Sequence, residues 1–359
     1  MTLKITAWSM SLLSVFALWN IQAQPNNIPE TRSYAGDAPD KYRVWPTEEF
    51  QTKRKPLNVN AKAIKMGLEL KGLLVGGSKT DSLLILHKGK IVHEAYFNGY
   101  DKNKPHVQFS VTKSVVSALV GIAMGEGYIN SVQDKVAAYF PKAVIPEGQE
   151  NKKEMTIEHL LTMTSGIDTD PHWDTFTGEA LQDGAQWIFT LPQKRAPGTK
   201  FRYDNMAPSI LGGIIEKATG QRLLDYAQQK LFGPLGMTSV TWETAGDGLP
   251  FGAFGIFMTP RDMARFGYLY LNLGRWEGKQ IIPADFVVKT PPRSMSVMGY
   301  GYLFWNYTLS PFSGSYEAQG MNGQNIIIMP KKDLVIVRTA QTRPIDGALA
   351  KLGSLFGMG

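Results

Sequence analysis

The chain has 359 residues, 43% hydrophobic and 19% charged, with 38 Lys and Arg against 31 Asp and Glu for a formal net charge of +7. It is too long for one small domain and too short for three, and it can bury a large core. Cysteine is absent, which excludes disulfides, a thiolate nucleophile and Cys-ligated zinc.

Residues 1–23 read as a secretory signal peptide: Lys4, an apolar stretch from Ile5 to Trp19, and Ala23 before a cut that leaves Gln24 first. An uncleaved anchor is the alternative, although the apolar run is short for a span. No later stretch reaches spanning length, so no membrane association is expected once the leader is removed, and the mature protein is expected in the periplasm or outside the cell. Residues 24–57 form an extended arm rich in Pro, Asn, Asp and Glu. Ala61 to Leu74 has near-helical apolar spacing and stops at Gly76-Gly77. Ser82–His87 and Ile91–Phe97 are predicted strands joined by a turn at Lys88-Gly89-Lys90. An apolar helix follows from Ser110 to Met124, and its near-uniform hydrophobicity predicts burial.

From 128 to 250 the pattern changes to short helices and long loops. Tyr128 to Phe140 is one such element, ending at Pro141. Met155 to Gly166 is a helix with Thr156 as cap and a Gly stop. Met206 to Thr219 is an apolar helix closed by Gly220, and Leu223 to Leu231 another. From Phe251 strands return. Gly252 to Thr259 precedes Pro260, a helix runs from Arg261 to Gly274, and Tyr300 to Tyr307 alternates as one strand with Trp305 and Tyr307 in the core. Asn325–Met329 and Leu334–Arg338 make a hairpin, and Gly347 to Phe356 is a last helix. The expected class is α/β, an α+β sandwich. One antiparallel sheet is built from both chain ends (58–127 and 251–359) and flanked by helices, with an all-α domain inserted at 128–250.

Ser110 and Lys113 lie one turn apart on one helix face, and Ser110 opens the helix where free N–H groups favour developing negative charge. Desolvation lowers a lysine's pKa, so a neutral Lys113 is suited to take the Ser110 proton. Taken alone, this single Ser-x-x-Lys also suits an N-cap serine and a surface lysine. Tyr203-Asp204-Asn205 offers a tyrosine whose pKa a neighbouring cation would lower, and an amide able to hold both Lys113 and a substrate carbonyl. Tyr-x-Asn recurs at Tyr96, Tyr128 and Tyr270, where structural roles dominate; Tyr203 is preferred for its loop-to-helix position. Gly320 and Gly323 before a strand suit a backbone that approaches a ligand, and equally an ordinary turn. The Asp168–Gln186 loop, with His172, Trp173 and Phe176, is either a pocket wall or a surface loop with one packed Trp. The five histidines lack metal-binding spacing, no Walker loop or Gly-x-Gly-x-x-Gly occurs, and the basic residues are dispersed, so neither metal, cofactor nor nucleic-acid partner is expected.

Ser110-x-x-Lys113, Tyr203-x-Asn205 and Gly320-x-x-Gly323, in that order, resemble the serine β-lactamase and penicillin-binding-protein superfamily. With Thr156–Gly166, Pro197–Asn205 and Gly252–Asp262, the set is similar to the class C β-lactamase-related esterases and amide hydrolases, including the 6-aminohexanoate-dimer hydrolase type, from about residue 60 to the end. The resemblance implies an α/β sandwich with an all-α insert and no cofactor. By motif it makes Ser110 the acylated nucleophile, Lys113 its proton acceptor, Tyr203 the acid/base, Asn205 a substrate contact, and the Ser110 and Met321 amides the oxyanion hole. Where β-lactamases of the superfamily carry Lys-Thr-Gly, this chain reads Ala318-Gln319-Gly320. A substrate carboxylate there loses a cation, so small esters or amides are the expected substrates. A β-lactamase or D-Ala-D-Ala carboxypeptidase, or a non-catalytic binder of wall fragments, is the alternative. Oligomeric state is not encoded legibly.

Overall fold

The computed structural model describes residues 65, 78–168, 189–244, 248–290, 298–307 and 314–342. The signal-peptide, arm, Ala61–Leu74 and Gly347–Phe356 expectations fall outside these residues, apart from Lys65.

Along the chain come β1 (Ser78–His87), β2 (Lys90–Tyr96), β3 (His106–Val107), α1 (Val111–Gly125), α2 (Val136–Tyr139), α3 (Ile157–Leu161), α4 (Met206–Thr219) and α5 (Leu223–Ala227). The second half adds β4 (Thr241–Trp242), β5 (Ile256–Met258), α6 (Pro260–Leu271), β6 (Arg275–Trp276), β7 (Lys279–Gln280), α7 (Ala284–Lys289), β8 (Met298–Gly301), β9 (Phe304–Tyr307), β10 (Ser315–Gly320), β11 (Gln324–Met329) and β12 (Leu334–Thr342).

Among the described residues seven strands form one sheet in the order β2-β1-β12-β11-β10-β9-β8, antiparallel at every junction. The expected sheet from both ends of the chain is therefore present: β1 lies against β12, with Leu84 opposite Val337. Antiparallel strands whose side chains alternate bury one apolar row on each face. Ile326, Ile328, Val335 and Val337 join the main core under α1 and α6. That core continues without a break into Leu160, Ile210, Ile214 and Phe232 of the helical stretch, so the helices between β3 and β5 share it. Among the described residues no helix is long and apolar enough to cross a membrane.

α4 follows the predicted bounds, and Gly220 closes it at φ 69°. The capping box of α6 joins Thr259 and Asp262, with Pro260 at the first position. Four expectations need correction. Tyr128–Phe140 is helical only at Val136–Tyr139. Met155–Gly166 shortens to Ile157–Leu161, where Thr156 does cap, in a box completed by the His159 ring. Gly252–Thr259 contributes only β5, and β5 joins β3 and β4 in a separate small sheet. Tyr300–Tyr307 is not one strand but the β8–β9 hairpin, turning at Tyr302 (φ 44°) and Leu303 (φ 61°). Two bulky residues in the left-handed region give no turn signal in sequence. Tertiary bonds hold this turn: Ser114 Oγ donates to the Leu303 carbonyl at 2.7 Å, and the Leu303 amide donates to the Leu161 carbonyl at 3.0 Å.

Candidate active site

Ser110 stands at the N-cap of α1. The amides of Val111, Thr112 and Lys113 donate back to the carbonyls of Gln108, Phe109 and Ser110, so the Ser110 N–H lies just ahead of this tight first turn. The preceding Phe109 is left-handed at φ 46°, a conformation costing a non-glycine residue about 1 kcal/mol or more. β5 braces the segment: Gln108 donates its amide to the Ile256 carbonyl at 2.8 Å, and Thr112 Oγ1 accepts the Ile256 amide at 3.3 Å.

Lys113 lies one turn into α1 and is 1% exposed. Its Nζ donates to Ser110 Oγ at 2.9 Å and to the Ala253 carbonyl at 2.9 Å. Burial brings its pKa down to about 7, against the opposing charge of Asp204. An amine with that pKa is half neutral at pH 7 and holds a hydrogen bond to the hydroxyl it would deprotonate.

Tyr203 sits in the irregular segment before α4, with its phenol near enough to the Ser110 hydroxyl for that group to lower its pKa. The Lys113 Nζ lies 5.0 Å from its ring centroid. The expected lowering of its pKa does not occur. Burial pushes it up to about 12, outweighing the effect of Ser110, while Asp204 adds to the rise. Tyr203 is thus a phenol at neutral pH, fit to donate a proton.

Asn205 is buried at the N-cap of α4, beside this group; the hydrogen bonds of Lys113 go to Ser110 and Ala253. The side chain that caps α4 is Asp204, whose Oδ1 accepts from the amides of Met206 and Ala207 at 2.7 Å each. Burial nonetheless raises the Asp204 pKa. Sequence reasoning gave Asp204 no role, although an Asp just before an apolar helix is a cap signal.

Trp305 is not an ordinary core residue. Its ring stacks on Tyr203 at 5.6 Å and 21°. Tyr300, opposite Trp305 in the hairpin, meets Tyr203 edge-on at 5.8 Å and 86°. No local pattern announces this, because the contact depends on the hidden turn at Tyr302 and Leu303.

β10 ends at Gly320, whose backbone abuts the Gln108 carbonyl so closely that a Cβ would clash outright. This contact puts the end of β10 beside the start of α1. Gln319 precedes it, paired with Asn325 of β11, and Met321 follows with its side chain 63% exposed. Asn322 (φ 60°) and Gly323 (φ 90°) complete the turn. Ser110, Lys113 and Tyr203 are thus in mutual contact, Asn205 adjoins Tyr203, and Gly320 meets the residue two before Ser110. His172 and Trp173 lie outside the described residues.

The Beta-lactamase family profile matches residues 72–352. The chain is 25% identical over 285 residues to the 6-aminohexanoate-dimer hydrolase of Paenarthrobacter ureafaciens, covering 72% of each. It is similar in structure to EstCE1, a hydrolase with promiscuous acyltransferase activity (TM-score 0.63, 14% identity, 76% of this chain and 91% of that one). It is also similar to a penicillin binding protein from Bacillus halodurans (TM-score 0.60, 18% identity, 77% and 96%). These two likenesses show the fold. With the profile spanning most of its length, the chain belongs to the beta-lactamase family of hydrolases.

Proposed function

We propose that the chain is an exported serine hydrolase that cleaves small esters or amides through an acyl-enzyme on Ser110. The observation that carries this reading is the 2.9 Å hydrogen bond from the buried amine of Lys113 to Ser110 Oγ. In acylation the Ser110 oxygen bonds to the substrate acyl carbon while its proton passes to Lys113. The bond from that carbon to the leaving oxygen or nitrogen breaks, and the leaving group takes the phenol proton of Tyr203, which Lys113 then restores. Water releases the acyl group by the reverse route. The amides of Ser110 and Met321 are proposed to hold the oxyanion, and Asn205, Gln319, Gly320, His172 and Trp173 to contact the substrate.

Ala318 and Gln319 are both uncharged, so a substrate carboxylate beside β10 would lack a charge-assisted partner worth about 1.5–3 kcal/mol. Neutral esters and amides are therefore favoured over β-lactams. Export is proposed from residues 1–23 alone.

Intact mass after brief exposure to p-nitrophenyl butyrate tests the reading. A transient butyryl adduct with nitrophenol release is expected in the wild type and absent in Ser110→Ala. Enzyme-like turnover of nitrocefin with none of the ester would replace it with the β-lactamase reading. No turnover together with no fluorophosphonate label on Ser110 would end the hydrolase reading.

A further inference from the structure

The phenol of Tyr203 must point at Ser110, yet Tyr203 lies in a segment with neither helix nor strand geometry. What restrains it is aromatic. Trp305 stacks on it, Tyr300 meets it edge-on, and Lys113 Nζ stands 5.0 Å from its centroid. The Tyr203 ring is thus held by a stacked indole and by the amine of the base together. The grip extends along the loop: Phe201 packs on Tyr300 at 5.4 Å and on Trp305 at 6.4 Å. Trp305 and Tyr300 are partners across the β8–β9 hairpin, with ring centroids 4.9 Å apart.

The hairpin is itself fixed to the nucleophile's helix. Ser114, the residue after Lys113, bonds the Leu303 carbonyl at 2.7 Å. Ser110 and Lys113 therefore belong to the same rigid unit as the indole that aligns Tyr203.

We propose that Trp305 is a positioning residue that holds the Tyr203 phenol on Ser110, and that it thereby governs how well the enzyme expels poor leaving groups. The inference rests on the Ser110 acyl-enzyme reading and deepens it. Trp305 exchanges no proton. It acts on the step in which the carbon–oxygen bond to the alcohol breaks and the Tyr203 proton moves to the departing oxygen. A nitrophenolate departs without that proton, whereas an alkoxide needs it. Loss of alignment should thus weigh on alkyl esters and spare nitrophenyl esters.

The test compares wild type, Trp305→Leu and Trp305→Phe on p-nitrophenyl butyrate and ethyl butyrate, reading kcat/KM, which reports acylation. Fluorophosphonate labelling of Ser110 is measured alongside, since fluoride leaves without a proton. For Trp305→Leu, kcat/KM is expected to fall at least about tenfold more for the ethyl ester than for the nitrophenyl ester, with labelling near the wild-type rate. Trp305→Phe, which keeps a ring to stack, is expected to recover most of the difference. Equal losses on both esters, or none, would overturn the inference and make Trp305 a plain wall residue. Should the Leu variant fail to fold, Trp305→Phe carries the test, with the same leaving-group dependence at smaller size or its refutation. A wild type that neither labels nor turns over would overturn the hydrolase reading itself, and this inference with it. Normal labelling with equal losses would overturn the inference alone.

Discussion

Replacing Lys113 by Met should make the protein more stable at neutral pH while abolishing acylation. The amine is 1% exposed, and burial lowers its pKa from 10.5 to about 7. A buried lysine of this kind opposes folding. The unfolded chain takes up the proton below pH 10.5 and the folded chain only below about 7. The resulting penalty grows as pH falls through that window and reaches on the order of 5 kcal/mol at and below its lower end. Methionine has similar length and no charge to desolvate. The variant loses the hydrogen bonds to Ser110 Oγ and the Ala253 carbonyl, each worth about 1 kcal/mol. A net gain of about 3 kcal/mol at pH 7 follows. Urea unfolding of both proteins at pH 6, 8 and 10 measures it. The advantage should be level below pH 7 and shrink by about 1.4 kcal/mol per pH unit above, as the wild type recovers. A difference that does not change between pH 7 and 10, or a variant less stable than wild type at pH 7, would refute the desolvated-amine argument.

The kcat/KM profile on ethyl butyrate, whose leaving group needs the Tyr203 proton, should rise with an apparent pKa near 7, the value that burial gives Lys113, and show no descending limb from Tyr203 until pH approaches 12. Asp204→Asn keeps an oxygen to cap α4 but removes the charge that raises the Lys113 pKa, so the rising limb should move to lower pH; an unchanged or more alkaline limb would speak against the pairing. Gly320→Ala drives a Cβ into the Gln108 carbonyl, and either the start of α1 or the end of β10 must shift. Fluorophosphonate labelling of Ser110 should then slow by an order of magnitude or more, as expected for loss of a preorganised oxyanion contact.

The hairpins around Lys88–Lys90 and Pro330–Asp333, and α4 with its Gly220 stop, were legible because each is signalled within a dozen residues. Ser110 and Lys113 were legible for the same reason, being one helical turn apart. Their meaning was not, because whether Lys113 is buried depends on residues far along the chain. The Ala253 carbonyl is a backbone atom and leaves no trace in residue type. The predicted Met155–Gly166 helix stops instead at Leu161, and Met163 just beyond it is left-handed at φ 56°, which no residue type there announces. Trp305 was misread because alternation over Tyr300–Tyr307 fits one strand as well as a hairpin. Distant partners hold the turn: Leu303 bonds Ser114 and Leu161, and Tyr302 donates its hydroxyl to Glu158. The Tyr203 pKa was misjudged by weighing the nearby cation above desolvation, which is the larger effect.

The contact between Gly320 and the Gln108 carbonyl joins positions more than two hundred residues apart, and β1, paired with β2 on one edge, meets its other neighbour only in β12. A ribosome that has made Ser110, Lys113 and Tyr203 has not yet supplied the strand that completes their setting. Such distant pairings make folding slow compared with that of a helical bundle of similar stability. From Tyr203 onward the growing chain therefore carries every proton-handling group proposed for the site without a place to hold a substrate. Hydrolytic capacity should appear late and all at once, when the last strands pair.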